Sequence, residues 1–342
     1  VDVRLSEIIE PIKHDLEAFE REFKNLLKSD IFLIDKVVQY IVSHRGKRLR
    51  PILVLLTSRL NGAFSPMSSD GHTAEASSAR RLKAAAILEL LHTATLVHDD
   101  VVDDSDRRRG FPTVNSIWKN KISVLMGDYL FSKALLGMLH MGDVKVFGII
   151  STTAERMSQG ELLQMERSHD FWMEEDIYFR LIADKTASLL AAACQLGALA
   201  GGQSEAQVVA MRDFGEYLGL SFQIRDDLLD LLGVEKNTGK PIGNDIRENK
   251  ITLPLLHALK QAEKKEAKRV IQLVRRGNGR RQRSEHMREI VSFIEQNGGI
   301  TYATQTAERF AGRAIALLEP YDDSPVKRAL GNLIRFITAR DN

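Results

Sequence analysis

A single cysteine, Cys194, stands in a chain of 342 residues, so no disulfide forms within it. Its neighbours Ala191-Ala192-Ala193 mark it as a packed core thiol. An excess of charge of either sign is also missing. Charged residues make up 27% of the chain yet sum to +2, which leaves no bulk field to attract nucleic acid. Aromatic residues contribute only 6%, while 44% of the residues are hydrophobic, enough for one large core or two domains. No uninterrupted apolar run reaches membrane-spanning length, and the N-terminus lacks the apolar core of a signal peptide. A soluble, cytoplasmic protein is expected. No stretch alternates as a strand does, and no compositional break marks a linker. The expectation is a single all-α domain over residues 1–342, a large bundle with its most apolar helices inside.

What is present is helical periodicity. Residues 4–28 are amphipathic and charge-rich, and residues 31–44 are more apolar. A helix over Ile52–Leu60 follows, with Pro51 suited to its first turn. Residues 62–79 are polar and turn-forming. The run Ala84–Leu91 has neither Gly nor Pro and is apolar nearly all round, which predicts a helix in the middle of the protein. Helical patterns continue over Ile122–Met141, Val144–Glu166, Glu174–Leu199, Ser204–Leu232, Ile300–Leu318 and Pro325–Arg340. The basic, glycine-containing stretch 275–286 reads as an exposed loop.

The central helix ends in His98-Asp99-Asp100-Val101-Val102-Asp103. Asp99 and Asp103 share one face at i and i+4, and Asp100 is turned about 100° away. Like charges at that spacing oppose a helix, and the negative end of the helix dipole adds to the repulsion. A cation neutralises them. The pattern returns as Asp226-Asp227-Leu228-Leu229-Asp230. A chain of this size and ordinary composition should contain roughly 0.07 such motifs. Solvated acidic helix ends would account for one of them, and poorly for a pair.

Cations accompany the carboxylates. Gly46-Lys47-Arg48-Leu49-Arg50-Pro51 puts three at a helix start, where the dipole adds positive charge. That is either an anion site or a solvated basic turn. Arg107-Arg108-Arg109-Gly110 follows the first acidic motif, and the loop Thr238–Gly243 carries Lys240. Two carboxylate clusters and scattered cations suggest a phosphate ester bridged by Mg²⁺, which takes one or two carboxylates and completes its shell with phosphate oxygens and water. No His/Cys cluster favours a softer metal. His92 lies two helical turns before Asp99 on nearly the same face. It either donates to a phosphate or is a satisfied buried histidine.

Taken together, Gly46–Pro51, the first acidic motif with Arg108-Arg109-Gly110, Lys185-Thr186, Phe222-Gln223-Ile224-Arg225-Asp226-Asp227, and Lys240 with Lys250 resemble the trans-polyprenyl diphosphate synthases. The resemblance runs in order over residues 46–254. It implies the helical fold of class I terpenoid synthases, with a central active-site cavity, and head-to-tail prenyl transfer. Its substrates are isopentenyl diphosphate and an allylic diphosphate. Asp99, Asp103 and Asp226 match the family's ligands for about three Mg²⁺ ions, with Asp100, Asp227 and Asp230 supporting them. Arg108, Lys185, Lys240 and Lys250 match contacts to the leaving diphosphate. Lys47, Arg50, His92 and Arg109 match the metal-free isopentenyl diphosphate site. Thr186 and Gln223 supply oxygens to face a developing carbocation. A homodimer is also implied, with at most transient membrane contact when the apolar product leaves. One departure is Asn249, where the family often has Gly before the lysine; Asn also tolerates unusual backbone angles.

In this family an aromatic residue about five positions before the first aspartate blocks the growing tail. Here that position is Ala94, and Leu88, Leu90, Leu91 and Thr95 near it are not aromatic. The resemblance therefore implies a long product, hexaprenyl to decaprenyl, centred on octaprenyl. A class I terpene cyclase shares the first acidic motif but needs no second aspartate motif and no isopentenyl diphosphate site. A regulatory subunit of a two-component synthase typically loses the aspartates, and this chain keeps all six.

Overall fold

A computed structural model describes residues 4–44, 46–61, 74–232, 243–248, 250–275 and 280–338. Among them all regular structure is helical, apart from a two-residue ladder, as the periodicity predicts. In chain order the elements are α1 (Leu5–Ile9), a 3₁₀ turn (Glu10–Ile12), α2 (Lys13–Leu26), α3 (Phe32–Ser43), α4 (Leu49–Thr57) and α5 (Ala74–Val102). The strands β1 (Arg107–Arg108) and β2 (Phe111–Pro112) follow, then α6 (Val114–Met141), α7 (Val144–Arg167) and α8 (Glu175–Ile182). A wider π turn (Ala183–Ala187) leads into α9 (Ser188–Ala200) and α10 (Glu205–Leu232). The remainder is α11 (Asn244–Arg247), α12 (Leu253–Gln261), α13 (Lys264–Arg275), α14 (Arg280–Gln296), α15 (Gly299–Ala316) and α16 (Pro325–Thr338).

The chain divides into two compact units. The first comprises Val1–Ala154, Leu189–Gly215 and Leu317–Leu333. Its centre is α5, buried from Ala84 through Ala94. A helix apolar on every face must be covered on every face, and α2, α4 and α6 all pack on it. Residues 74–79, expected in a loop, already belong to α5. Likewise α4 is buried from Pro51 to Thr57, and Pro51 sits in its first turn, where the missing amide hydrogen leaves no bond unmade. Thr113 caps α6 by accepting from the Ser116 amide at 3.0 Å, and Gly142 ends the helix in the left-handed region. By length and composition α6 could cross a membrane. Cys194 is buried in α9, and burial pushes its thiol pKa up, in keeping with a packed core thiol.

The second unit comprises Glu155–Ser188, Glu216–Ala316 and Ile334–Asn342. Its core joins Phe171, Tyr178, Ile224, Leu253, Phe293 and Phe310. Ala267, Val270, Ile271 and Val274 bury one face of α13 at helical spacing. Arg280–His286 are helical rather than looped. Met287, Ile290, Phe293 and Ile294 anchor α14 in the core, and the Arg and Gln residues before them extend it as good helix formers.

Candidate active site

In the first unit the basic segment and the first acidic motif meet around α5. Arg48 has left-handed backbone (φ 56°), which turns its side chain inward. Its guanidinium reaches Glu89 at 2.6 Å and Glu20 at 3.3 Å, and it lies over the rings of Phe19 and Phe23. Arg48 is therefore committed to structure. Arg50, in the first turn of α4, is half-buried, and its buried Nε has no hydrogen-bond partner among the described residues. Burial lowers its pKa to about 10, with Glu89 opposing and Arg109 adding to the effect. His92 is buried among the same cations. Desolvation lowers its pKa well below 6.5, and Arg50, Arg109, Arg108 and Arg48 reinforce this. His92 is thus neutral and able to donate one N–H.

Arg109 arrives from the β-hairpin. In it Arg107 pairs with Pro112 and Arg108 with Phe111, leaving Arg109-Gly110 as a two-residue turn. Both turn residues have positive φ (53° and 82°), as tight hairpins require and as Gly110 readily allows. The turn carries the Arg109 guanidinium onto Gly46, where any Cβ would collide with it. A larger residue at 46 would push the guanidinium aside, so Gly46 and Arg109 belong to one feature. Lys47, next to Gly46 in the chain, is exposed.

At the end of α5, Asp103 N bonds to Asp99 O at 2.8 Å, which continues the helical ladder and keeps the two side chains on one face. Asp99 is half-buried and Asp103 exposed. Asp100 is buried and accepts from Arg108 Nε at 2.8 Å. The three aspartates divide in this way between a pair on the more exposed face and one held by Arg108. Ala94 is fully buried in α5.

The second unit repeats the division. On the last turns of α10, Asp226 is exposed and Asp230 half-buried on one face, while Asp227 is turned inward. Asp230 Oδ2 also accepts from the Asp245 amide at 3.0 Å. Asp227 Oδ2 accepts from Tyr178 Oη at 2.7 Å, and its Oδ1 accepts from Gln223 Nε2 at 2.8 Å. Burial raises the pKa of Asp227, the nearby charge of Asp245 adds to the rise, and the two donors oppose it. Gln223 Oε1 in turn accepts from Thr186 Oγ1 at 2.8 Å.

Thr186 and Lys185 lie in the π turn, a widening of the helix that recurs at functional sites. A Cβ on Gly160 would lie 2.5 Å from the Lys185 amide nitrogen and 2.9 Å from its Cα, so α7 touches the backbone of the turn directly. Arg156 holds Asp184, within the turn, at 2.7 Å. Lys185 Nζ reaches Glu161 Oε2 at 2.6 Å and Gln164 Oε1 at 3.1 Å. Lys250 pairs with Glu248 at 2.7 Å. Lys240 and Asn249 lie outside the described residues.

Among the described residues, no three His, Cys, Asp or Glu side chains form a ready metal cage. That donor set still fits Mg²⁺ held jointly with a phosphate, since each acidic helix end offers the one or two hard carboxylates this ion takes from protein.

The chain matches the Polyprenyl synthetase family over residues 32–292. It belongs to that family. It is 35% identical over 340 residues to an octaprenyl diphosphate synthase of Escherichia coli, covering 99% of this chain and 100% of the other. It is 34% identical to heptaprenyl diphosphate synthase component 2 of Geobacillus stearothermophilus, over 96% of this chain and 97% of that one. A solved polyprenyl synthase from Caulobacter crescentus, complexed with calcium and isoprenyl diphosphate, superposes with a TM-score of 0.86 at 33% identity, covering 100% and 99% of the two chains. The protein is a prenyltransferase of isoprenoid biosynthesis with the all-α fold of these synthases.

Sequence reading missed several residues that shape this polyprenyl synthetase site. Glu89 was visible as one acid inside an apolar run, Ala84–Leu91, and a lone acid there signals a buried partner. Glu161 and Gln164 stand at i and i+3 on α7, a shared face whose object, Lys185, is distant in sequence. Tyr178 gave no signal of its own.

Proposed function

We propose that this prenyltransferase is a long-chain trans-polyprenyl diphosphate synthase that adds isopentenyl diphosphate repeatedly, head to tail, to an allylic diphosphate. The observation that carries the reading is the cation cluster of the first unit. There Arg50 and Arg109 surround a neutral His92, and the buried Arg50 Nε has no hydrogen-bond partner among the described residues. Cations gathered around a neutral histidine, with the nearby Glu89 already paired to Arg48, offer their charge to an anion, and a diphosphate supplies one. Arg50, Arg109, His92 and Lys47 would bind isopentenyl diphosphate without metal. A terpene cyclase has no use for such a site.

The allylic diphosphate would be served by Asp99 and Asp103 and by Asp226, with Asp100, Asp227 and Asp230 in support. Bound Mg²⁺, about three ions, would neutralise the charge of the departing diphosphate as a Lewis acid. Lys185, Arg108, Lys240 and Lys250 add cationic contacts to that group. The allylic C–O bond breaks, the isopentenyl double bond attacks the freed carbon, and a proton then leaves to the released diphosphate. Thr186 and Gln223 would face the developing positive charge with oxygens.

Product length is read from Ala94. Ala94 lies five residues, about 7.5 Å of helix, before Asp99, and its small side chain would not block a tail growing along α5 as an aromatic one would. The reading favours octaprenyl within a hexaprenyl-to-decaprenyl range. It puts the enzyme in the cytoplasm, with transient membrane contact only at release, because the product's tail partitions into lipid. It also makes the enzyme a homodimer through α6, whose Leu125, Leu136 and Leu139 are 67%, 50% and 70% exposed.

The test is an assay of purified protein with Mg²⁺, farnesyl diphosphate and labelled isopentenyl diphosphate, with product length read by chromatography. A long polyprenyl diphosphate is expected, and Ala94→Phe shortens it. Cyclised product or none contradicts the reading, and unchanged length in Ala94→Phe contradicts the path along α5.

A further inference from the structure

We propose that Tyr178 is a positioning residue for prenyl transfer: through Asp227 it fixes the amide of Gln223, and so the direction of the Thr186 hydroxyl. The inference rests on the prenyl-transfer reading above. What carries it is an unbroken chain of hydrogen bonds within the second unit. Tyr178 Oη donates to Asp227 Oδ2 at 2.7 Å, Gln223 Nε2 to Asp227 Oδ1 at 2.8 Å, and Thr186 Oγ1 to Gln223 Oε1 at 2.8 Å.

A glutamine amide turned by half a revolution exchanges a donor for an acceptor at almost no change in shape. Its orientation must come from its neighbours. With Asp227 Oδ2 accepting from Tyr178, Oδ1 is left to accept from Gln223, so the end of Gln223 that faces Asp227 is the NH₂ end. Oε1 then faces Thr186, whose single hydroxyl hydrogen is used on it. The hydroxyl lone pairs are left directed away from Gln223, the polarity that stabilises a carbocation. With the amide reversed, Nε2 would donate to Thr186, and the threonine hydrogen would be free to point toward the positive charge. That is the wrong sign.

Asp227 can enforce this only if its own carboxylate does not rotate. Tyr178 prevents rotation by holding the oxygen that Gln223 does not use. Its ring is buried in the core of the unit, in contact range of the Phe179 ring, with centroids 5.5 Å apart. The phenol is therefore a fixed point, and Asp227 is the lever between it and Gln223. Asp227 sits within the acidic motif, yet both of its oxygens are engaged by protein donors. Asp227 faces the core of the unit, while Asp226 and Asp230 lie on the neighbouring face.

The experiment is a double-mutant cycle on the full chain, using the farnesyl and isopentenyl diphosphate assay. Wild type, Tyr178→Phe, Thr186→Ala and the double variant are compared for kcat and for KM of isopentenyl diphosphate. Tyr178→Phe is expected to lower kcat about 10-fold in the wild-type background and less than about 2-fold in the Thr186→Ala background. KM for isopentenyl diphosphate stays within about 2-fold. An equal loss of kcat in both backgrounds, or none in either, overturns the inference, since a role confined to folding does not depend on Thr186. Should Tyr178→Phe fail to fold, Asp227→Asn is used in its place. It keeps the side-chain volume but lets the amide of Gln223 turn, and it must show the same dependence on Thr186. A wild-type chain that elongates nothing overturns the functional reading itself, whereas an active wild type with additive losses overturns this inference alone.

Discussion

Burial among four arginines keeps His92 uncharged in the folded protein, and the sign of its effect on stability follows from that. Unfolded, the imidazole takes a proton near pH 6.5, while the folded chain refuses it until far lower pH. Below that value the unfolded state binds the extra proton, so stability falls as pH falls, by at most about 1.4 kcal/mol per pH unit. Between about pH 7.5 and about pH 5.5 the wild type should lose more thermal stability than His92→Gln. Equal losses in scanning calorimetry would mean that His92 is solvated or already paired with an acid. Several such residues were legible in the sequence. Asp99 with Asp103 and Asp226 with Asp230 are spaced by the helix itself, and Gly46 and Arg109 belong to short motifs. Arg48 was not, because the acids that occupy it, Glu20 and Glu89, are far away in the chain.

Among the elements, the π turn depends most on its surroundings. Glu174–Leu199 is composed of ordinary helix formers, and periodicity predicts one unbroken helix through it. The interruption at Ala183–Ala187 has tertiary causes. Gly160 admits α7 against the Lys185 backbone, and Arg156 holds the carboxylate of Asp184. Neither is visible from local pattern. By contrast, α4, α5 and α10 were legible because their apolar residues recur at helical spacing and their ends carry Pro51 and the acidic motifs. Gly160→Ala would push a methyl group into the turn and displace Lys185 and Thr186 by a fraction of an ångström to one ångström. Misplacement on that scale should lower kcat by up to about 10²-fold with little loss of helix content by circular dichroism. Wild-type kcat in this variant would show that the turn's position is not what matters.

At the scale of the molecule, composition was enough to establish an all-helical chain, because neither strand alternation nor cysteine pairing competed with the helical period. It said less about α6, whose apolar residues cover more of its circumference than α5 can bury. Leu125, Leu136 and Leu139 are left in solvent, a strip of the kind that marks an association surface. If a second copy covers it, Leu136→Glu with Leu139→Glu should convert a dimer to a monomer in sedimentation velocity. A wild type that sediments as a monomer would contradict this. The proposed function requires both acidic motifs to serve a metal-bound diphosphate, and the most direct test is the rate of prenyl transfer in Asp99→Ala and Asp226→Ala, each assayed with saturating Mg²⁺. Losing several kcal/mol of charge stabilisation, each variant should slow by on the order of 10³-fold. Full activity in either one would contradict the account.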